Sequence, residues 1–204
     1  MQENNKAMVA GRIVSGLSFS NECHGEKFYQ MMVEIERASG NVDIIPLMVS
    51  ERLLDVQKDY TGCIVEVTGE YRSYNRKDGD RNRLELHLFA QQLWFIDEAG
   101  DATVNNQIFM SGYICKPPVH RTTPFGREVA DILLAVNRSY AKTDYIPCIA
   151  WGRNADFASR LEVRTRIDAQ GRIQSREYNK QISETECEKR IAYEVSLNRI
   201  EVVG

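Results

Sequence analysis

Short runs of apolar, β-branched and aromatic residues recur along the chain, separated by polar residues and turn formers. Residues 30–35, 64–68, 132–136 and 145–151 are the clearest, and runs of this length and composition predict β-strands. Two segments break the pattern. Residues 51–58, followed by the turn residue Gly62, and residues 154–161, with Asn154 or Asp156 near the start, each predict one short helix. Alternation also assigns faces, because successive strand side chains point to opposite sides. In 145–151 it puts Tyr145, Pro147, Ile149 and Trp151 on one face and Ile146, Cys148 and Ala150 on the other. The second set is small and apolar and suits a core. The first has an aromatic at each end, which a core strand does not require. Arg176 and Tyr178 share a face in the same way, as do Arg72, Tyr74 and Arg76.

The pattern repeats. Asn5 to Ile13 aligns with Asn106 to Ile114, Gly25 with Gly126, and Asp43-Ile44-Ile45-Pro46 with Asp144-Tyr145-Ile146-Pro147, all 101 residues apart. Gly69 and Gly171 continue the match at 102. One register held across separated blocks marks a duplicated unit of about 100 residues. The expected organisation is therefore a first domain over 1–97, a polar linker over 98–105 and a second domain over 106–204. Each copy holds about five strands with one helix between the third and fourth. That fits a small Greek-key barrel of the OB type better than a sandwich, which needs more strands and no central helix. The expected fold class is all-β with one short helix per domain, in two tandem barrels.

Composition narrows the function by exclusion. Of 204 residues, 43% are apolar and 27% charged, ordinary for a globular protein. Apolar runs are too short to cross a membrane as a helix, and residues 1–6 lack a signal-like apolar stretch, so a cytoplasmic location without membrane association is expected. The five cysteines, Cys23, Cys63, Cys115, Cys148 and Cys187, are odd in number and show no C-x-x-C spacing. His24, His87 and His120 are scattered, so neither disulfides nor a metal site is expected. No nucleophile–base set, phosphate loop or paired carboxylates point to an enzyme, and no cofactor is implied. Asp43 and Asp144 recur in the repeat and are expected to cap turns. The net charge of −3 divides unevenly: 11 basic and 17 acidic residues over 1–103 give −6, and 15 basic and 12 acidic over 104–204 give +3.

The second copy resembles the bacterial single-stranded DNA-binding proteins, a family of OB folds. The resemblance runs from Asn106 to Val203. It rests on Asn106 to Ile114, Ala135-Val136-Asn137-Arg138, Asp144-Tyr145-Ile146-Pro147 with Ala150-Trp151-Gly152, Gly171 to Tyr178, and Lys189 to Val195. The first copy is similar but weaker, so the chain looks like the tandem form of the family. That form implies sequence-independent binding of single strands in replication, recombination or repair. It also implies a nucleoid-associated location and a homodimer in which two chains supply four barrels. The family places base-stacking aromatics at the positions of Tyr140, Tyr145, Trp151 and Tyr178. Phosphate contacts are expected from Arg138, Arg153, Arg166, Arg172 and Arg176. For Trp151 the competing reading is a barrel filler, and for Tyr140 a turn residue.

The first copy lacks this set. Ile44 stands for Tyr145, Ser50 for Trp151, and Tyr178 aligns near Arg76. Its remaining resource is Tyr71, Arg72, Tyr74, Arg76, Lys77, Arg81 and Arg83, which offer a secondary strand-binding set in Arg72, Tyr74 and Arg76. The alternative there is a polar hairpin with Tyr71 in the core. This copy is expected to be a degenerate binder, or mainly a scaffold. Two departures from the family stand out. The chain stops at Gly204 without an acidic tip, which argues against recruitment of other proteins through such a tail. Arg164 replaces the loop glycine Gly62, so that loop is expected to be rebuilt. A rival reading is a primosome-type OB adapter that works mainly through protein contacts.

Overall fold

The computed structural model describes residues 4–78, 81–102, 104–181 and 187–204. Its elements are β1 (Asn5–Ile13), β2 (Ser18–Cys23), β3 (Glu26–Glu36), β4 (Val42–Ser50), β5 (Ile64–Asp78) and β6 (Arg81–Ile96) in the first half. The second half has β7 (Asn106–Ile114), β8 (Val119–Thr122), β9 (Glu128–Arg138), β10 (Lys142–Trp151), α1 (Arg153–Ser159), β11 (Arg166–Gln181) and β12 (Cys187–Val202). A 3-10 turn, Ala99–Asp101, lies between them. Among the described residues no helix is long and apolar enough to cross a membrane.

Each half closes into a ring of five strands. In the first, β1 pairs with β5, β5 with β6, β6 with β4 in parallel, β4 with β3, and β3 back with β1. The second repeats the circuit through β7, β11, β12, β10 and β9, again with one parallel pair, β10 with β12. The short strands β2 and β8 add to the outer edges of β3 and β9. These are two tandem OB barrels. Strand alternation builds each interior: Ile146, Cys148 and Ala150 are buried, as are their counterparts Ile45, Leu47 and Val49. Closure demands glycine where backbones nearly touch. A Cβ on Gly69 would sit 2.0 Å from the Phe89 carbonyl oxygen, and one on Gly171 2.2 Å from that of Ser196. Both glycines lie at β-bulges, which is why the repeat conserves them.

The halves join through β1 and β7, which pair antiparallel with Ala7 opposite Ile108. Those two residues are equivalent in the repeat, so the barrels are related by a local dyad between them. Polar side chains cross this junction symmetrically. Asp144 accepts the Ser73 N–H at 2.8 Å, and the Tyr145 N–H donates to Ser73 Oγ at 2.7 Å. In the mirror arrangement Asp43 accepts the Ser175 N–H at 2.8 Å, and the Ile44 N–H donates to Ser175 Oγ at 2.9 Å. Asp43 and Asp144 are fully buried. They do not cap turns, as the sequence reading expected, but bind backbone donors of the opposite half.

Two further expectations change. The helix expected over 51–58 is absent: residues 51–57 form successive turns. Side chains compete for the backbone there. Ser50 Oγ accepts the Arg52 N–H at 3.1 Å, and Asp55 Oδ1 accepts the Gln57 N–H at 3.1 Å. The second copy does form its helix, one residue earlier than expected, because Ala155 and Ala158 let it press fully against the barrel. The Arg164 loop is not rebuilt. Gly62 and Arg164 both take positive φ, 91° and 73°. Their N–H groups make matching bonds to Ile13 and Ile114 carbonyls at 2.8 and 2.9 Å. A non-glycine residue in that region costs about 1–2 kcal/mol, partly offset by its lower unfolded-state entropy. Arg164→Gly is expected to stabilise the protein by about 0.5–1 kcal/mol, read as a rise in Tm. An unchanged or lower Tm would show that the loop is relaxed as it stands.

Candidate nucleic-acid interface

The outward face of the second barrel is carried by β9, β10, β12 and β11. Trp151 ends β10 there, 38% exposed, with Val129 buried beside it as its cross-strand neighbour. Trp151 does not fill the barrel: its Nε1–H donates to Ser196 Oγ at 3.1 Å, which holds the indole at the surface. Around it a groove of about 440 Å³ is lined by Arg37, Arg127, Arg172, Gln174 and Arg176. Strand register explains the grouping, since Arg172 lies across from Ser196 and Arg176 from Ala192 on β12. The site therefore combines one flat aromatic with four guanidinium groups.

The charges are not equally available. Arg37, from the first half, donates Nε to Asp43 at 2.6 Å and also bonds through Nη2. That bond holds its pKa above the ordinary arginine value. Arg172 lies 3.8 Å from Asp43. Burial and the neighbouring Arg37 lower its pKa, and Asp43 opposes them. Arg176 is 3.6 Å from Glu194 and half exposed. Arg127 sits in the turn between β8 and β9. Sequence reading missed Arg37 and Arg127. Arg127 lies in a loop that periodicity does not place, and Arg37 belongs to the other copy.

The remaining expected residues are dispersed. Tyr145 shares the outward face of β10 and is 40% exposed, toward the first half. Tyr178 lines a second groove across the dyad with Arg76, Arg83, Arg190, Pro46 and Pro147. The Arg176 guanidinium lies 5.9 Å from the Tyr178 ring centre. Tyr140 occupies a tight turn with φ 62° and is almost fully exposed. It belongs to a cleft shared with Arg138, Lys142, Glu70 and Arg72. Arg138 Nε is 3.3 Å from Asp144 Oδ2, and its side chain faces the first barrel, away from Trp151. Arg153 opens α1, outside the groove lining. Arg166 pairs across from Tyr113 and reaches Ser111 at 3.4 Å, on the outer surface of the β1–β7 junction. The nine expected residues thus distribute over one compact groove, two flanking clefts and the surface outside them.

On the first barrel, Tyr71 is fully buried, as the hairpin alternative required. Arg72, Tyr74 and Arg76 lie outward in sequence along β5, and Arg76 and Tyr74 both bond Glu85. The side chains of Lys77 and Arg81 lie outside the described residues.

The profile of the Single-strand binding protein family matches residues 105–203, the half that carries Trp151. The single-stranded DNA-binding protein B of Bacillus subtilis is 35% identical over 80 residues, covering 36% of this chain and 71% of that protein. The chain belongs to the single-strand binding protein family. Single-stranded DNA-binding protein 1 of Staphylococcus aureus is 36% identical over 83 residues, 37% of this chain and 50% of its own length. The chain spans about half the length of such relatives. A crystal structure of the wild-type single-stranded DNA binding protein from Thermus aquaticus superposes with a TM-score of 0.73 at 21% identity. It covers 98% of this chain and 93% of that one, so the likeness in fold extends over both halves. The family match is confined to the second half, in line with the weaker resemblance of the first copy.

Proposed function

We propose that the protein binds single-stranded DNA without regard to sequence, chiefly through the second barrel, in replication, recombination or repair. Residues 1–97 and 106–204 act as two OB domains joined by 98–105. One observation carries the reading: a surface tryptophan held at the head of a groove lined by Arg37, Arg127, Arg172 and Arg176. Stacking on an aromatic tolerates every base, and cations along the path hold the phosphates. Tyr145, Tyr178, Tyr140 and Arg138 extend that path toward the dyad. Arg153 and Arg166 contribute long-range charge rather than direct contacts. Two chains associate as a homodimer of four barrels through the outward face of the β6–β5–β1–β7 strands, where Trp94 and Tyr113 are 47% and 40% exposed.

The test is a fluorescence titration with oligo-dT in a Trp94→Phe variant, so that Trp151 alone reports. Strong quenching with tight, sequence-independent binding is expected. A folded protein whose Trp151 emission ignores oligo-dT would instead point to an adapter working through protein contacts.

A further inference from the structure

Asp43 belongs to the first barrel, yet the groups its carboxylate holds all line the Trp151 groove of the second: Arg37, Arg172 and Ser175. Its Oδ1 accepts the Ser175 N–H at 2.8 Å. Its Oδ2 accepts Arg37 Nε–H at 2.6 Å, and Arg37 Nη2 bonds Oδ1 beside it. Arg172 Nη1 lies 3.8 Å from Oδ2. Asp43 itself is fully buried and does not line the groove, so it can act on a bound strand only through these partners. The chain of polar contacts continues along β11 and β12. Arg172 Nη2 donates to Gln174 Oε1 at 3.4 Å, and Gln174 Nε2 donates to Glu194 Oε1 at 2.7 Å. Arg176 Nε stands 3.6 Å from that same oxygen. Arg37, Arg172 and Arg176 are thereby tied, through buried Gln174 and Glu194, to one carboxylate of the other half.

The mirror position shows that docking the barrels does not require this arrangement. Asp144 accepts the Ser73 N–H in the same way and lies 3.3 Å from Arg138. At the place of Arg172, however, the first barrel has Glu70. Glu70 bonds Arg72 at 2.9 Å and accepts from Gln91 at 3.1 Å. A buried carboxylate facing two guanidinium groups is therefore particular to the Trp151 side.

We infer that Asp43 is a positioning residue for single-strand binding by the second barrel, so that the Trp151 groove is a site built by both halves of the chain. The inference rests on the single-strand reading above. Arginine has many rotamers, and ordering one on binding costs affinity that a side chain ordered beforehand does not lose. Two guanidinium groups side by side also repel, and the carboxylate between them offsets the repulsion. Arg37 balances the charge of Asp43 through its two bonds. Arg172 then keeps its charge for a phosphate while Asp43 and Gln174 fix its place.

Asp43→Asn is the decisive substitution, because charge and position predict opposite signs. Asparagine keeps an acceptor oxygen for the Ser175 N–H and removes a negative charge beside the groove. Acting as a charge alone, Asp43 would on removal tighten oligo-dT binding and steepen its salt dependence. Positioning predicts the reverse. Short oligo-dT is expected to bind the folded variant about tenfold more weakly, since two arginines must then be ordered on binding. The slope of log K against log salt should flatten by about 0.7, the share of one phosphate contact. Arg172→Gln should lose about as much, and Asp43→Asn/Arg172→Gln little more than either alone, because both act through one side chain. A second measurement leaves Asp43 intact. The Arg37 Nε–H resonance, assigned with Arg37→Lys, should stay protected from solvent exchange when short oligo-dT binds. The Arg172 Nε–H resonance, assigned with Arg172→Lys, should shift. Binding by folded Asp43→Asn as tight as that of the unmodified protein or tighter, with no flattening of the slope, overturns the positioning role, and continued Trp151 quenching leaves the single-strand reading standing. Loss of Arg37 protection, or an unmoved Arg172 resonance, overturns it equally and decides the matter if Asp43→Asn does not fold. Absence of Trp151 quenching and of binding in the unmodified protein overturns both.

Discussion

Replacing Trp151 and Tyr178 together by alanine is expected to weaken oligo-dT binding by about 30-fold to 10⁴-fold, because each stacked base contributes about 1–3 kcal/mol. Both rings stand on the surface with a guanidinium beside them, so their removal leaves the core intact. The loss should be nearly equal for dT, dA and dC oligomers, since stacking does not read base edges. Salt dependence is the independent arm. Arg127, Arg172 and Arg176 are the cations least neutralised by carboxylates in the Trp151 groove, and each single-strand phosphate contact contributes about −0.7 to the slope of log K against log salt. A slope of about −2 from this groove follows, and Arg172→Ala/Arg176→Ala should flatten it by about 1.4. Tight binding by the folded Trp151→Ala/Tyr178→Ala protein would remove the second barrel as the principal site.

The largest effect on stability belongs to the buried aspartates. Asp144→Ala leaves Arg138 without its carboxylate and the Ser73 N–H without its acceptor. Asp43→Ala does the same to Arg37 and the Ser175 N–H. Removing one partner of a buried pair costs about 3–5 kcal/mol, so either variant should unfold at much lower urea. Asparagine keeps an acceptor oxygen and should recover part of the loss. The pH dependence of Asp144 runs opposite to ordinary acid unfolding. Burial raises its pKa above the usual 3.8, opposed by the Ser73 N–H and Arg138. Between 3.8 and the raised value the folded state binds more protons than the unfolded one, so this titration favours folding as pH falls. Asp144→Asn should abolish that contribution. A loss below about 1 kcal/mol in both alanine variants would mean that the barrels are held by β1–β7 pairing and apolar burial alone.

The barrels and the tandem organisation were legible in the chain because both leave periodic traces. Alternation marks inward and outward positions, and the match between the copies, at an offset of 101 or 102, survives wherever barrel closure tolerates little change. Gly69 and Gly171 keep the match because a Cβ at either would strike the opposite backbone. The helix of the first copy was misread because propensity does not weigh the competing bonds from Ser50 and Asp55. The Arg164 loop was misread for the opposite reason: the bond to Ile114 holds a conformation that the residue itself disfavours.

The site divides along the same line. Sequence by itself determined which residues of β10 share a face, since the strand period is local, and so it set Tyr145 and Trp151 apart from the core positions and put Arg176 on one face with Tyr178. It could not determine which outward residues share a groove, because that depends on neighbouring strands and on the dyad that docks the barrels. Only the tertiary structure brought Arg37 from the first half to Trp151, turned Arg138 toward the first barrel, and separated Arg166. Aligning the copies position by position judged the first barrel degenerate because Ile44, Ser50 and Arg76 stand where the second has Tyr145, Trp151 and Tyr178. In three dimensions Phe28 and Phe89 reach the same space from adjoining strands. A groove is an area to which several strands contribute, so a position-by-position alignment does not capture it. The second barrel therefore presents a groove rich in arginine around Trp151, and the first presents an aromatic one that alignment alone did not reveal.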